Sequence, residues 1–218
     1  MFKHLALAVT LAIAPLSTFA AQFVEGKHYT QISNKMVPSE PKVTEFFSFY
    51  CHNCFNMETK YIPEIKAGLD KQVTFDTKHV DFMNSDIGTE VMRALAVIHT
   101  FDNQEALKVA MFGAIQGEGN DSGHDHSAPG HEHAPEINSR DDIKKVFAKF
   151  DIDGAKYDAL ADSPETEKKL SLWRQQQVMF RIQSVPTFIV NDKYAINMNE
   201  MRTLDDLVNV MNYLALKK

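Results

Sequence analysis

The chain has 218 residues, of which 44% are hydrophobic and 24% charged, and its formal net charge at pH 7 is −6. The apolar share is large enough for a substantial core and is not typical of a disordered chain. An acidic balance without a long basic run argues against a nucleic-acid partner and against an anionic membrane surface.

The first twenty residues have the layout of a secretory signal peptide. Residues 1–4 form a short basic stretch, residues 5–16 are mostly apolar, and the segment closes with Thr18-Phe19-Ala20, of which Thr18 and Ala20 are small. We predict cleavage after Ala20, since the apolar run is shorter than the roughly twenty residues that a membrane anchor needs. Removing Lys3 leaves 22 basic and 29 acidic residues and a formal charge of −7. We therefore expect a soluble, exported protein in a compartment where disulfides persist.

The only two cysteines, Cys51 and Cys54, lie three positions apart after a predicted strand, Lys42–Tyr50. A disulfide across so short a loop removes little entropy from the unfolded chain, so a structural role explains the pair poorly. A structural zinc site needs four ligands, and neither a second Cys-x-x-Cys nor a close histidine pair lies nearby. The spacing therefore favours a redox-active pair.

A predicted helix follows the pair, and the helix makes the two cysteines unequal. Cys51 falls at the helix N-terminus, where free amides and the helix dipole stabilise a thiolate. Cys54 lies one turn inside and should be more buried and less acidic. Pro63 is expected to kink or end this helix. We interpret Cys51 as the sulfur that forms mixed disulfides and Cys54 as its partner.

The middle of the chain is predicted to be helical. Asp86 to about Ile115 carries apolar residues at helical spacing, Ser139 caps a second segment, and Pro164 opens a third that runs to about Phe180. We expect the apolar stripes to form a core rather than a ligand site. The stripe residues are Ile87, Val91, Leu95, Ile98, Leu107, Met111, Ile115, Ile143, Val146, Phe147, Phe150, Leu170, Leu172 and Trp173.

Residues 117–136 form a segment of a different kind, rich in Gly, Pro, Asp and His, which predicts a mobile surface loop. It carries two His-x-His pairs, His124 with His126 and His131 with His133. Imidazoles at this density can bind zinc, copper or nickel. We favour a solvated insertion over a metal site, so we expect no metal and no cofactor other than a redox-active disulfide.

Two short strands around Asn191-Asp192 are predicted to form a hairpin near the end of the chain. Val185-Pro186-Thr187 leads into the first of them. A proline at a strand entry is compatible with an ordinary loop, but together with an upstream Cys-x-x-Cys it indicates the thioredoxin fold.

These features resemble the DsbA family of bacterial periplasmic disulfide oxidoreductases over essentially the whole mature length. The resemblance implies an α/β protein, a thioredoxin-like fold with an inserted all-helical domain: residues 21–83 and 177–218 form the thioredoxin part and residues 84–176 the insertion. The motifs are Gly26-Lys27-His28-Tyr29, Glu45-Phe46-Phe47-Ser48-Phe49, Cys51-His52-Asn53-Cys54, His79-Val80-Asp81-Phe82-Met83, Val185-Pro186-Thr187, Tyr213-Leu214 and Lys217-Lys218.

The resemblance also implies roles outside the cysteines. The Val185–Pro186 bond should be cis, with Pro186 packed against the cysteines and Val185 offering backbone groups to an extended substrate. Glu45 and Glu58 match acids that influence the cysteines and proton transfer, although a solvated helix face explains Glu58 equally well. A buried acid in a strand is costly, so a role is expected for Glu45.

Two positions depart from the family pattern. His52 and Asn53 stand between the cysteines where the best-known oxidants have Pro-His; a histidine there can stabilise the thiolate when it is protonated. Where the family often has a lysine near the strand acid, this chain aligns Thr77, followed by Lys78. Adjacent strand residues point to opposite faces, so we expect no pair between Lys78 and Glu45.

Three functions are compatible with these residues. The first is a periplasmic oxidase that donates the Cys51–Cys54 disulfide to reduced exported proteins through a mixed disulfide and is reoxidised by a quinone-linked inner-membrane partner of the DsbB type. The second is a reductase or isomerase on the same scaffold, although no dimerisation domain is visible and we expect a monomer. The third is a periplasmic metal-binding protein that uses the His-rich loop.

Overall fold

A computed structural model describes residues 23–34, 40–117 and 137–217, so the predicted signal peptide and nearly all of the His-rich segment lie outside the described residues. The strands are β1 Tyr29–Gln31, β2 Lys42–Phe47, β3 Thr74–His79, β4 Thr187–Val190 and β5 Tyr194–Ile196. The helices are α1 His52–Asn56, α2 Ile62–Gly68, α3 Asp86–Ile98, α4 Gln104–Gln116, α5 Arg140–Ala148, α6 Gly154–Ala161, α7 Pro164–Met179 and α8 Leu204–Ala215. No helix in these ranges is long and apolar enough to cross a membrane.

The five strands form one mixed sheet in the order β1-β5-β4-β2-β3. Strand β2 lies inside it, parallel to β3 and antiparallel to β4, which explains why five of its six residues are buried. The predicted strand ends three residues too late, because pairing stops at Phe47 opposite His79. Beyond that point the Phe49 N–H donates to the His79 imidazole at 3.1 Å, so the chain leaves the ladder just before the cysteines.

The helical segment after the cysteines continues beyond Pro63, so of the two predicted outcomes, a kink or an end of the helix, the end is wrong. A π-helical turn, Met57–Tyr61, joins α1 to α2, and the Ile62 N–H donates to the Met57 carbonyl. Pro63 falls in the first turn of α2, a position where proline is tolerated because its fixed φ fits a helix.

Helices α3 to α7 all lie between β3 and β4 in the chain, as the predicted helical insertion requires. Ser85, Ser139 and Ser163 cap three of them, each accepting a backbone N–H three residues on. Most of the predicted stripe residues are buried in one hydrophobic core, which confirms them as core residues, although Leu172 is exposed. That core also contains Cys54, so the insertion packs directly against the redox pair. The boundaries at 83 and 176 stay a prediction; α7 continues past the second.

The predicted hairpin of β4 and β5 is confirmed, and its turn residues Asn191 and Asp192 both have positive φ, +55° and +51°. The fully buried Asn191 side chain accepts the Lys42 N–H at 3.0 Å and donates to the carbonyls of Leu214 and Ala215. One amide thus connects the hairpin to β2 and to the end of α8.

We expect Asn191→Ala to lower the free energy of unfolding by about 2–4 kcal/mol, because buried partners lose their bonds and alanine is strained at positive φ. Asn191→Gly removes the same bonds without the strain, so its loss should be smaller by about 1 kcal/mol. Urea unfolding of the reduced protein measures both values. Variants as stable as the wild type would show that the amide is not a structural link.

Candidate active site

Cys51 is the N-cap of α1, and its sulfur accepts the Cys54 backbone N–H at 3.2 Å. Both cysteines are free thiols in this structure. Cys51 is half-buried, whereas Cys54 is only 1% exposed. The predicted asymmetry in burial is therefore present: an incoming sulfur can approach Cys51 but not Cys54.

The two thiols differ in acidity as well. A hydrogen bond from the Cys54 thiol, helped by the backbone amides of Cys54 and Asn53, lowers the pKa of Cys51 to about 7 in spite of its partial burial. The same thiol–thiol bond, together with burial, raises the pKa of Cys54. At neutral pH a large fraction of Cys51 is thiolate and Cys54 keeps its proton, which gives the helix N-terminus one nucleophile rather than two.

The loop before β4 meets the cysteines from the other side. Its Val185–Pro186 bond is cis, as predicted, and the Cys51 thiol donates to the Val185 carbonyl at 3.4 Å. Pro186 and Asn53 line one groove of about 680 Å³ beside the pair. This groove is rich in amide and hydroxyl side chains. Its lining residues are Asn53, Asn56, Met57, Lys60, Tyr61, Ser184, Pro186, Thr187, Ile196, Asn197, Met198 and Asn199.

His52 and Asn53 are both exposed at the start of α1. Asn53 contributes its backbone amide to the stabilisation of Cys51 and its side chain to the groove. The stabilising role expected for His52 stays a prediction, since the groups that lower the pKa of Cys51 are Cys54 and the Asn53 amide.

Glu45 lies in the middle of β2 and is 1% exposed. Burial, reinforced by the nearby Glu58, raises the pKa of its carboxyl to about 8. One carboxyl oxygen, Oε2, has no hydrogen-bond partner among the described residues. Glu45 in turn raises the pKa of Cys54 by electrostatic repulsion, so the acid and the buried thiol influence each other.

Glu58 is 5% exposed, so the alternative of a solvated helix face is wrong. Its Oε1 lies 2.6 Å from the Nζ of Lys108, a lysine of α4 that is itself 2% exposed. Sequence reasoning missed Lys108, because it lies on an amphipathic helix distant in sequence. The signal in the sequence is its spacing: Lys108 directly follows Leu107 of the apolar stripe and lies four positions before the apolar Phe112.

Lys78, which follows the aligned lysine position, bonds to a residue other than Glu45, as expected. The Lys78 ammonium donates to Gln176 at 2.6 Å, and the Thr77 hydroxyl bonds to the His99 imidazole at 3.0 Å. His79 is buried, stacks on the Phe49 ring and accepts the Phe49 N–H; burial lowers the pKa of the imidazole to about 3. A neutral His79 is thus a core residue that holds the segment before Cys51.

Within the described ranges no group of three or more His, Cys, Asp or Glu side chains is placed to hold a metal ion. The histidines considered for weak metal binding, His124, His126, His131 and His133, lie outside those ranges. That hypothesis therefore stays a prediction.

Comparison with known proteins places this geometry in a family. A family model described as Thioredoxin matches residues 38–210. The thiol:disulfide interchange protein DsbA of Escherichia coli strain K12 is 30% identical over 213 residues, covering 97% of this chain and 94% of the relative. The chain belongs to the DsbA family. The DsbA of Yersinia pestis is also 30% identical, over 92% of this chain and 89% of its own length.

Solved structures of other DsbA proteins share the fold of this family member. A cysteine-to-serine variant of Proteus mirabilis DsbA, in complex with a non-covalently bound peptide, superposes with a TM-score of 0.71 at 25% identity, covering 89% of this chain and 99% of that one. Pseudomonas aeruginosa DsbA gives a TM-score of 0.70 at 18% identity, over 91% and 95% of the two chains. The thioredoxin-like α/β fold predicted from the sequence is confirmed.

In this DsbA-family protein, alkylation of reduced Cys51 by iodoacetamide should follow a single ionisation with a midpoint near pH 7. Cys54→Ala removes the thiol that donates to Cys51, so we expect the midpoint to move upward. Alkylation rates measured between pH 4 and 10 test this, since mass mapping separates the two cysteines. A midpoint that does not move would contradict the role given to the Cys54 hydrogen bond.

Glu45→Gln should make the reduced protein more stable at alkaline pH. The folded-state pKa of about 8 lies above the ordinary value of 4.5, so the folded state keeps a proton that the unfolded state loses. The contribution of Glu45 to stability should be greatest below about pH 4.5 and fall as the pH rises to about 8. The variant lacks this loss, so it should exceed the wild type by on the order of 4 kcal/mol at pH 8 and match it near pH 4. Parallel stability–pH curves for the two proteins would contradict the burial argument.

Proposed function

We propose that this DsbA-family protein is a thiol:disulfide oxidoreductase that donates the Cys51–Cys54 disulfide to reduced exported proteins. The observation that carries the proposal is the asymmetry of the pair. Cys51 is accessible and its thiolate is stabilised, whereas Cys54 is buried and holds its proton. A stabilised thiolate favours the reduced form, and a protein whose reduced form is favoured passes its disulfide on.

The exchange proceeds in two steps. A substrate thiolate attacks the Cys51 sulfur of the oxidised protein, the Cys51–Cys54 bond breaks, and Cys54 leaves as a thiolate that takes up a proton. A second thiolate of the substrate then attacks the substrate sulfur of the mixed disulfide and expels the Cys51 thiolate. The substrate gains one disulfide, and the protein is reduced by two electrons. Cys51 is the better leaving group of the two cysteines, which favours this direction.

Substrate recognition is proposed to use the backbone of Val185 and the groove beside Pro186. The Val185 carbonyl already accepts the Cys51 thiol, so an extended peptide placed along this segment brings its own cysteine to Cys51. The Proteus mirabilis relative binds its peptide non-covalently, and that peptide contains a cysteine. Amide side chains around the groove supply donors and acceptors to a peptide backbone without demanding one sequence.

The reoxidising partner, the cellular location and the oligomeric state are proposed from the family resemblance. Each turnover leaves the protein with two electrons that must pass to an oxidant, and we propose a quinone-linked membrane partner of the DsbB type for that step. We also propose a periplasmic location and a monomer. The predicted signal peptide over residues 1–20 supports export.

The reduction potential of Cys51/Cys54, equilibrated against glutathione buffers, tests the direction. We expect a value well above that of thioredoxin-like reductants, which are near −270 mV. Cys51→Ser should abolish oxidation of a reduced, unfolded substrate protein. Cys54→Ser should trap a mixed disulfide when its Cys51 thiolate attacks a substrate that already carries a disulfide, because the variant lacks the thiol that would displace the substrate. A potential near that of the reductants would favour the reductase or isomerase alternative.

Deletion of residues 119–134 separates the oxidase from the metal-binding alternative. The deletion should leave substrate oxidation unchanged, because none of the residues assigned to the thiol chemistry lies in that segment. If the deletion abolished activity while Cys51→Ser retained it, the oxidase assignment would be wrong.

A further inference from the structure

Three charged side chains are buried together beside the redox pair. Glu45 comes from β2, Glu58 from the π-helical turn and Lys108 from α4, and none is more than 5% exposed. Glu58 and Lys108 form a direct ion pair with 2.6 Å between Oε1 and Nζ. Burying charges is costly unless they are paired, so a cluster with two carboxyl groups and one ammonium needs an explanation.

The cluster has one cation for two acids, and the geometry assigns that cation to Glu58. Glu45 is left with an oxygen that has no hydrogen-bond partner in the described part of the chain. Two carboxylates that share a buried site cannot both ionise easily. Glu58 therefore carries the charge that Lys108 balances, and Glu45 is the acid free to change its protonation.

Lys108 is held in this position by the aromatic packing of its own helix. Phe112 lies one turn later on the same face of α4, with its ring centroid 4.8 Å from that of Phe49 and 5.1 Å from that of Phe55. These contacts fix α4 against the segments on both sides of the cysteines. The ammonium beside the two acids thus comes from a residue of the inserted helices and not from a residue of the sheet.

We propose that Lys108 is a positioning residue of the thiol chemistry: its ammonium engages Glu58 and thereby leaves Glu45 as the carboxyl that exchanges a proton with Cys54. When a substrate displaces Cys54 from the disulfide, the Glu45 carboxylic acid gives its proton to the Cys54 thiolate. When Cys54 later attacks to re-form the disulfide, the Glu45 carboxylate takes that proton back. The inference rests on the proposed thiol–disulfide exchange and on the proton-transfer role that the family resemblance implies for the buried acids. What it adds is the part of Lys108, which decides which of the two acids exchanges the proton.

Two other charged groups act on Glu45, and neither of them is a buried cation that could replace Lys108. Lys66 of α2 and the Cys51 thiolate also act on Glu45, but the Lys66 ammonium is bound to Glu105 at 2.8 Å. Lys108 in turn acts on Glu105 and on His99, whose pKa is lowered to about 4, mainly by burial, so that the imidazole is neutral at physiological pH. Of the cations that act on Glu45, Lys108 is the buried one.

Stopped-flow mixing of the reduced protein with dithiobis(nitrobenzoic acid) separates the two cysteines. The first release of thionitrobenzoate reports attack by Cys51, and the second reports attack by Cys54 on the mixed disulfide. The pH midpoint of the second release measures the base that deprotonates Cys54, and the first release serves as an internal control. Glu45→Gln should abolish the pH step of the second release; an unchanged step would overturn the proposal.

The role of Lys108 is tested in the Glu58→Gln background. Glu58→Gln releases the ammonium to Glu45, so the midpoint of the second release should move down by about one pH unit. Glu58→Gln with Lys108→Met leaves no unpaired buried cation, so it should fold, and its midpoint should return to the wild-type value or above it. Lys144→Met in the same background removes a lysine paired with Asp141 and Asp158, away from the cluster, and should have no effect.

Equal midpoints with and without Lys108 in the Glu58→Gln background would reduce Lys108 to a structural ion-pair partner and overturn the inference. That result is distinguishable from a failure of the proposed function. If the protein did not perform thiol–disulfide exchange through this pair, the second release would be missing from the wild type itself.

Discussion

The hydrogen bonds that Cys54 makes to the Cys51 sulfur are the interactions on which the rest of this site depends. The backbone N–H of Cys54 lies in the first turn of the helix, where it donates to both the Cys51 carbonyl, at 3.0 Å, and the Cys51 sulfur, at 3.2 Å. The same contact makes Cys51 the more acidic thiol and leaves Cys54 with its proton. The contact that caps helix α1 is therefore also the contact that stabilises the Cys51 thiolate. A change that misplaces the first turn of α1 weakens both.

Around this contact the sheet and the inserted helices enclose the two cysteines unequally. The end of β2 and the neutral His79 hold the segment that precedes Cys51, and the Val185 carbonyl meets the sulfur from the opposite loop. Cys54 is instead a member of the hydrophobic core of the helical insertion. Because one cysteine faces solvent and the other faces this core, the inserted helices help to determine which of the two sulfurs an incoming thiol can reach.

The buried acids show where stability and function oppose each other. An apolar residue at Glu45 would suit the interior of β2 better, since a carboxyl without a full set of partners is destabilising there. The ion pair of Glu58 with Lys108 carries a similar desolvation cost, which its short contact offsets only in part. Carboxyl groups whose pKa is strongly raised by burial cluster at functional sites, which supports the proposed exchange of a proton between Glu45 and Cys54.

The sequence by itself determined the redox pair, its likeness to the DsbA family, the fold class, the hairpin and the capped helices, because each of these depends on residues close together in the chain. Cys-x-x-Cys spacing, helix caps and turn residues act within a few positions, so their meaning survives without knowledge of the fold. The same local rules failed where distant contacts decided the outcome. Strand β2 ends before the predicted position, and beyond its end the Phe49 N–H donates to the His79 imidazole. Pro63 follows a π-helical turn and does not end its helix.

Only the tertiary structure decided which cation accompanies the buried acids. The family resemblance places a lysine near the strand acid, at the position of Thr77 and next to Lys78 on β3, the strand that pairs with β2. The Thr77 and Lys78 side chains bond to His99 and Gln176 and not to Glu45. The ammonium comes from Lys108, about sixty residues from Glu45 in the chain. Nothing in the pattern of α4 specifies that partner. An ion pair depends on the positions of two side-chain ends in space, and the packing of Phe112 against Phe49 and Phe55 sets those positions only after the chain has folded.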